Sequence, residues 1–408
     1  MHLDWNAISL MVSDHKFDYL TWEVNALASK TGQMIWGQHR YMDEPTRSQF
    51  VRDYMADLAS VRQLEAQIDQ LYLDGADITA LEAERDTLRH NLSTRQPIVE
   101  SILESQISSV LIDEGFGTLG QLFPPISMHF TQMPSLLVVS RRDRIERYVE
   151  LAIDPLPIAE IEHIEDRVDY TRNVASIVVP LGGMALYPAM IQESSNLQWV
   201  IETFSHEWIH HYFFFFPLGL NYFVVTDTAD PEALIINETS ADIFGEGVAQ
   251  LVFERYYPEL LTRESNMILI DNPQQSTFDF GTEMNTTRVT VDRLMARIAS
   301  VRDLPFASIG ANAKNDVLIN ETILKAEAYM EARRLIFNEN GYRIRKLNQA
   351  YFAFYGGYQG GIPGIGGEDP IGPAVRAIYA SSDNLHDFAV TMRGITSREE
   401  LIASVNQD

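Results

Sequence analysis

Apolar residues recur at helical spacing through the first quarter of the chain. Residues 5–37 and 49–110 carry apolar side chains at intervals of three and four, with charged residues between them, which is typical of amphipathic helices. The turn sequence LDGAD at 73–77 divides the second stretch, and Pro97 interrupts its second apolar stripe. We expect a helical hairpin that resembles a short antiparallel coiled coil. It is either a plain packed hairpin, which we favour, or an arm that binds a partner.

The pattern changes after residue 118. Short β-branched or apolar runs bounded by proline or glycine occupy 126–130, 135–140 and 176–182, and such runs are typical of strands. The segment at 141–152 fits either a helix or a pair of strands. The sequence therefore predicts a small mixed sheet in this part of the chain.

Helical periodicity returns near residue 195. Ser195 and Gln198 form a capping box that predicts the start of one helix, and Asp230 with Pro231 predicts the start of another that runs to about Tyr256. Further helices are predicted at 284–301, 320–338 and 341–355, then a glycine-rich loop at 356–373, then short helices capped by Asp369 with Pro370, by Ser382, and by Ser397 with Glu400.

Composition and charge exclude several classes of function. The formal net charge of −26 argues against binding to nucleic acid, which requires a basic surface, and against an anionic membrane surface as partner. The absence of cysteine excludes disulfides, thiolate metal sites and cysteine nucleophiles. No run is long enough for a transmembrane helix. No signal peptide is visible, so we expect a soluble chain, cytoplasmic unless a leader or anchor precedes it.

The segment HEWIH at 206–210 matches the pattern H-E-x-x-H. His206 and His210 are four residues apart, so on a helix both imidazoles leave the same face and can hold one ion. Glu207 lies about 100° round the helix from His206. Its carboxylate can therefore sit beside the ion without ligating it and take a proton from water there.

A second segment, INETSAD at 236–242, supplies the remaining candidates. Glu238 lies on the next predicted helix and can be a third ligand. Asp242 is one turn later on the same face and can accept the free N–H of a ligating histidine, and Asn237 can do the same for the other. Two histidines and one glutamate leave a fourth position open, which is typical of a catalytic zinc site. We expect one Zn²⁺ per chain.

H-E-x-x-H followed on a second helix by N-E-x-x-A-D resembles the gluzincin zinc metallopeptidases, the thermolysin-like clan, over about residues 195–256. The resemblance implies His206, His210 and Glu238 as zinc ligands, Glu207 as general base and Asp242 as the partner of a ligand. The wider sequence also looks like bacterial proteins that carry this motif. The stretch between His210 and Glu238 is longer than in thermolysin-like sequences, and it either covers the site as a pocket wall or packs into the core.

The predicted fold class is α+β, mainly α. We expect an N-terminal helical region with the hairpin over 1–118, a zincin-like catalytic region with the sheet and the two motif helices over 119–256, and a helical C-terminal subdomain over 257–408. A chain of 408 residues is longer than one small core usually serves.

Candidates for the remaining roles follow from the same chemistry. A donor to the oxyanion of peptide hydrolysis would come from the C-terminal part, where the candidates are Tyr355, Tyr358 and His386. Arg343 could bind a substrate carboxylate, or it is a plain surface arginine. By resemblance, the edge strand that pairs with substrate backbone lies within 182–188 and begins with Gly182, Gly183 and Met184.

These observations predict a zinc-dependent metallopeptidase that hydrolyses a peptide or small amide through a water molecule activated by Glu207. One alternative is a zinc hydrolase of a small non-peptide substrate. Another is a catalytically inert metal-binding protein that docks a partner. The sequence does not select a substrate, an oligomeric state or a compartment.

Overall fold

The computed structural model describes residues 2–36, 38–73, 77–223, 231–261, 278–302, 309–358 and 370–405. Within them the fold is α+β and mainly helical, as predicted. The helices are α1 (His2–Met11), α2 (Tyr19–Trp36), α3 (Glu44–Leu73), α4 (Thr79–Leu111), α5 (Ile158–Arg172), α6 (Leu197–Phe213), α7 (Pro217–Phe223), α8 (Pro231–Tyr256), α9 (Phe280–Arg302), α10 (Ile309–Glu339), α11 (Gln349–Tyr358), α12 (Ile371–Ser381), α13 (Leu385–Met392) and α14 (Arg398–Val405). The strands are β1 (Gly117–Thr118), β2 (Gln121–Leu122), β3 (Met128–Thr131), β4 (Ser135–Arg141), β5 (Val149–Ile153), β6 (Val174–Pro180), β7 (Gly183–Met184) and β8 (Ala189–Gln192).

The first predicted helix is two helices. The prediction of one helix over 5–37 was wrong, because α1 ends at Met11 and α2 begins at Tyr19. Asp18 explains the second start: its Oδ1 accepts a hydrogen bond from the backbone N–H of Thr21 at 3.1 Å. A side chain that satisfies an unpaired N–H of the first turn favours a new helix at that point.

The predicted hairpin consists of α3 and α4, which pack against each other. Residues 74–76 of the predicted turn lie outside the described residues. The break expected at Pro97 is wrong, because α4 continues through it. Proline removes one backbone hydrogen bond from a helix interior, but Val99, Ile102 and Leu103 of the following turns are fully buried. That burial stabilises the helical turns that follow the proline.

Two small three-stranded sheets replace the single mixed sheet of the prediction. In one, β4 pairs antiparallel with both β5 and β6. In the other, β8 pairs parallel with β3 and antiparallel with β7. The undecided segment after β4 forms a turn and then begins β5. Within the described sheets β7 has a strand partner on one side, so it is an edge strand beside α6.

Helices α6 and α8 form an antiparallel pair. The N-cap of α6 is Asn196 rather than the predicted Ser195, because the Asn196 side chain accepts from Trp199 N at 3.1 Å. Helix α8 spans Pro231–Tyr256, as expected, while its predicted cap Asp230 lies outside the described residues. A Cβ built at Gly245 would lie 2.6 Å from the carbonyl oxygen of Glu202. Only glycine therefore permits the two backbones to approach this closely.

The C-terminal helices differ from the prediction at their starts. The helix expected at 341–355 begins at Gln349, because Gly341 adopts φ +92° and the Asn338 side chain bonds the backbone of Ile344. The predicted cap at Ser382 was wrong, since Asn384 caps α13 by accepting from Asp387 N. Ser397 is confirmed as a cap, because its Oγ accepts from Glu400 N at 3.3 Å, but the second half of the box is wrong, since the Glu400 carboxylate accepts from Thr396 N. Asp369 and most of the glycine-rich loop lie outside the described residues.

The largest hydrophobic core is shared among the three predicted regions. It joins Val51 of the hairpin, Phe204 of α6, Phe244 of α8 and Ile371 of α12. A separate cluster packs α9 against α10. Among the described helices, none is both long enough and apolar enough to cross a membrane. The largest core thus fixes α6 and α8 from several sides, which positions the side chains they carry.

Candidate metal centre

His206, His210 and Glu238 converge between α6 and α8. The two histidine Nε2 atoms are 3.0 Å apart, and Glu238 Oε2 lies 3.3 Å from His206 Nε2 and 3.7 Å from His210 Nε2. One ligand atom from each residue lies within 4.8 Å of the others. Among the described residues, no other group of three or more histidine, aspartate or glutamate side chains is placed to hold a metal ion.

Hydrogen bonds on the outer side of each imidazole fix its orientation. His206 Nδ1 lies 2.9 Å from Asp242 Oδ1, and His210 Nδ1 lies 2.8 Å from Asn237 Oδ1. The Asn237 amide faces the Leu218 carbonyl with its nitrogen, so its oxygen is the atom that faces His210. Both Nδ1 atoms are therefore donors, and the predicted supporting roles of Asp242 and Asn237 match these contacts.

This arrangement fits a cation. A neutral imidazole that donates from Nδ1 carries a lone pair on Nε2. Two such lone pairs facing each other at 3.0 Å, with a buried carboxylate beside them, repel unless a proton or a metal ion lies between the three groups. Two imidazoles and one carboxylate are a ligand set that suits zinc.

Burial and charge perturb the two histidines in opposite directions. Burial alone would lower the pKa of His206, but its bonds with Asp242 and Glu238 outweigh that effect and raise the pKa well above the usual value. Burial lowers the pKa of His210 to about 4, although the Glu238 charge opposes the shift. When no metal ion is bound, these opposite shifts favour a proton on His206 over one on His210.

Glu207 is buried, and it lies close enough to His206 and Glu238 for their charges to act on its carboxylate. Its carboxylate packs directly against the backbone of Gly183 in β7, because a Cβ built at Gly183 would lie 2.9 Å from Glu207 Cδ and closer still to Oε1. Burial raises the pKa of Glu207 to about 7, with further contributions from the charges of Glu238 and Asp242, against the opposing effect of His206. A carboxyl group of that pKa can both accept and release a proton near neutral pH.

A cleft of about 1070 Å³ opens on the centre. Six predicted residues line it: His206, Glu207 and Asp242 of the centre, and Gly182, Gly183 and Tyr355 around it. Burial raises the pKa of Tyr355, so its phenol keeps its proton and can act as a hydrogen-bond donor. The residues that line the cleft come from β6, β7, α6, α8, α9, α11 and α12 and from the link between β6 and β7.

The other predicted candidates lie elsewhere. His386 packs against Gly115 and Phe116, with its ring centroid 5.1 Å from that of Phe116, and is not among the described residues that line the cleft. Arg343 is exposed outside the cleft. Met184 continues β7 but pairs with Met190 outside the cleft wall. The side chain of Tyr358 lies outside the described part of the chain.

The described part of the long stretch after His210 is not a wall of this cleft. Tyr212 and Phe213 are buried in the core, whereas Phe214 and Phe215 are exposed. His211 turns away from the centre, toward the ring of Tyr187 at 6.1 Å between centroids. Of the two alternatives for this stretch, Tyr212 and Phe213 therefore match packing into the core rather than a pocket wall. Residues 224–230 lie outside the described residues.

Several residues of the cleft were missed by the motif search. The cleft also contains Trp199, Glu202, Thr203 and Glu246. Their signal was the helical repeat: Glu202 precedes His206 by one turn on α6, and Glu246 follows Asp242 by one turn on α8. Residues four apart share a helix face, so extending each motif by one turn would have found both carboxylates.

Comparison of the chain with protein-family models, with curated proteins and with solved structures gives no match.

Proposed function

We propose that this protein is a zinc-dependent metallopeptidase of the gluzincin type. The observation that carries the proposal is the convergence of two imidazoles and one carboxylate next to a buried carboxylate that packs against an edge strand. The ligand set suits a catalytic zinc site with an open position. The neighbouring carboxylate supplies the acid–base group that peptide hydrolysis requires.

His206, His210 and Glu238 would hold the ion. When bound, Zn²⁺ supplies Lewis-acid chemistry that polarises a carbonyl group and makes water more acidic. Glu207 accepts a proton from the attacking water on a carboxylate oxygen and passes it to the nitrogen of the leaving amine. Before an ion binds, burial holds the pKa of this carboxyl above its ordinary value, at about 7, which favours uptake of a proton from water.

The walls of the cleft would orient the substrate. The edge strand β7 presents backbone groups beside Glu207, and an extended peptide can add to such an edge through main-chain hydrogen bonds. Tyr355 lines the cleft with a protonated phenol and is our candidate donor to the oxyanion. Hydrogen bonds aimed at the developing charge lower the barrier because they need no reorganisation during the reaction.

The test is the variant Glu207→Gln, which keeps the shape of the side chain but cannot hold the transferred proton. We expect it to retain zinc as the wild type does and to lose hydrolysis of a peptide library by roughly 10²–10⁴-fold, the usual contribution of a general base. Metal analysis and peptide mass spectrometry measure the two quantities. Unchanged turnover would remove Glu207 as the base, and turnover of esters or small amides alone would point to a non-peptide hydrolase.

A further inference from the structure

We propose that the cleft selects substrates that carry a positive charge near the scissile bond, and that Glu202 and Glu246 recognise this charge. The inference rests on the proposed function, because the cleft is the one that opens on the candidate metal centre. It names a substrate class that neither motif implies: peptides with a lysine or arginine side chain, or a free amino terminus, next to the bond that is cleaved.

The two carboxylates lie on the same side of the centre. His206 contacts Asp242 and His210 contacts Asn237, so α6 and α8 run antiparallel. A residue one turn before His206 on α6 and a residue one turn after Asp242 on α8 therefore lie toward the same end of the helix pair. Glu202 and Glu246 occupy these positions, about 5–6 Å along the helix axes from the ligand pair. Both line the cleft.

Neither carboxylate is fully engaged by its neighbours. Glu202 Oε1 accepts one hydrogen bond from Gln198 Nε2 at 2.7 Å, and a carboxylate can accept about four. Glu246 faces Arg376 at 3.4 Å, but the two side chains are 56% and 63% exposed. An ion pair so exposed contributes little, so a substrate cation can replace Arg376 at small cost.

Aromatic side chains complete a surface that suits a basic residue. Trp199 packs against Gly182, where a built Cβ would lie 2.9 Å from the indole, and Phe354 and Tyr355 line the same cleft. Aromatic faces attract cations and pack well against the methylene stem of lysine or arginine. Arg376 is the one cationic Lys or Arg side chain among the described residues that line the cleft, so an acidic substrate would meet net repulsion.

The experiment compares hexapeptides that differ at one position. Each peptide carries lysine, arginine, norleucine or glutamate at successive positions around the cleaved bond, and norleucine matches the lysine stem without its charge. We expect the zinc-loaded wild type to show kcat/KM at least about fivefold higher for lysine than for norleucine. The double variant Glu202→Gln/Glu246→Gln should bring the two values together, because it lowers kcat/KM for the lysine peptide more than for the norleucine peptide.

Two further arms identify the source of the charge and exclude a structural effect. N-acetylated peptides distinguish a free amino terminus from a basic side chain. Added salt should reduce the lysine preference, because it screens exposed charges, and a packing defect would not show that dependence. The control is Glu254→Gln, an exposed carboxylate of α8 that accepts a hydrogen bond from Gln250, just as Glu202 does from Gln198.

The outcome separates this proposal from the proposed function. A wild type that cleaves lysine and norleucine peptides equally, or a preference that survives in the double variant, overturns the inference while peptide hydrolysis stands. If the zinc-loaded protein cleaves none of the peptides, the proposed function fails. Calorimetric binding of the lysine and norleucine peptides then decides the inference: about fivefold tighter binding of lysine, lost in the double variant, supports it, and equal binding overturns it.

Discussion

Gly183 limits how Glu207 can be placed. A Cβ at this position would lie 2.8 Å from Thr203 Cγ2 and closer to Glu207 Oε1, so Gly183→Ala must push the carboxylate away from its present site. We expect kcat to fall by about 10²-fold, because small displacements of a reacting group carry costs of that size, while zinc content stays at the wild-type level. Single-turnover kinetics and metal analysis measure the two effects.

Gly394→Ala serves as the control for that variant, because a Cβ there meets nothing within 4 Å. It should leave both kcat and zinc content unchanged. If Gly183→Ala were as active as Gly394→Ala, the carboxylate of Glu207 would not depend on its contact with β7.

Asp242 orients His206, a proposed metal ligand, from the outer side of the imidazole. Its Oδ1 lies 2.9 Å from His206 Nδ1, and loss of such a partner typically weakens metal affinity or activity by about 10–100-fold. We therefore expect Asp242→Ala to weaken zinc binding within that range, as measured by competition with a chelator. Asp242→Asn keeps an acceptor oxygen and should lose less, and equal affinity in all three proteins would contradict the role.

At the residue scale the sequence predicts the relative positions of side chains that lie on the same helix. His206, Glu207 and His210 are fixed relative to one another by helix geometry, and their spacing alone indicated their arrangement. The contact of Glu207 with Gly183 was not predictable, because it joins α6 to a strand through tertiary packing. His386 illustrates the same limit, since its residue type suited a catalytic role but packing placed it against Phe116.

At the scale of elements, a buried ionic network joins α2, α4 and β3. Glu100 of α4 accepts from Lys30 Nζ of α2 at 2.8 Å and from the backbone N–H of Phe130 in β3 at 2.8 Å. Lys30 also bonds Glu104 at 2.9 Å. The network attaches the N-terminal hairpin to the smaller mixed sheet, whose other edge is β7.

Removal of the Glu100 charge should destabilise the protein. Glu100→Gln removes the fully buried partner of Lys30 but keeps Glu104 bonded to it, so the cost should be at most about 3–5 kcal/mol, the range typical of breaking a buried pair. Chemical denaturation measures this free energy. The exposed Glu84 on the same helix provides the control, since Glu84→Gln should stay within about 0.5 kcal/mol of the wild type.

The same pair predicts a pH dependence. Burial alone would raise the pKa of Glu100, but Lys30 and His129 outweigh it and lower the pKa to about 2, from an ordinary value of 4.5. Because the folded-state pKa is the lower one, the stabilisation is complete above about pH 4.5 and is lost as the pH falls toward 2. The difference in unfolding free energy between wild type and Glu100→Gln should shrink over that window, and a constant difference would show that Glu100 is not ionised in the fold.

Element types followed from periodicity more reliably than element boundaries. The hairpin and α8 were predicted because long amphipathic repeats and a proline at the first helical position are local signals. The starts of α2, α6 and α13 depended on which neighbouring polar side chain reaches a free backbone N–H, and several nearby residues could do so. The helix break expected at Pro97 failed because burial of the following turn outweighs one lost hydrogen bond.

At the scale of the whole molecule, the candidate centre is embedded in the largest core. Residues of the hairpin, of α6 and α8, and of the C-terminal helices belong to one hydrophobic cluster. The cleft accordingly draws its walls from β6 and β7, α6, α8, α9, α11 and α12. The predicted regions therefore cooperate in holding two imidazoles and a carboxylate at one point, which sequence segments considered separately do not reveal.

Zinc-edge X-ray absorption on the full chain, combined with metal analysis, tests this account most directly. We predict one zinc ion per chain, with two imidazole nitrogens and a carboxylate oxygen at about 2.0–2.2 Å, and a loss of that ion in His210→Ala and Glu238→Gln. A chain that takes up no zinc, or that retains it equally in both variants, would contradict the assignment of the centre.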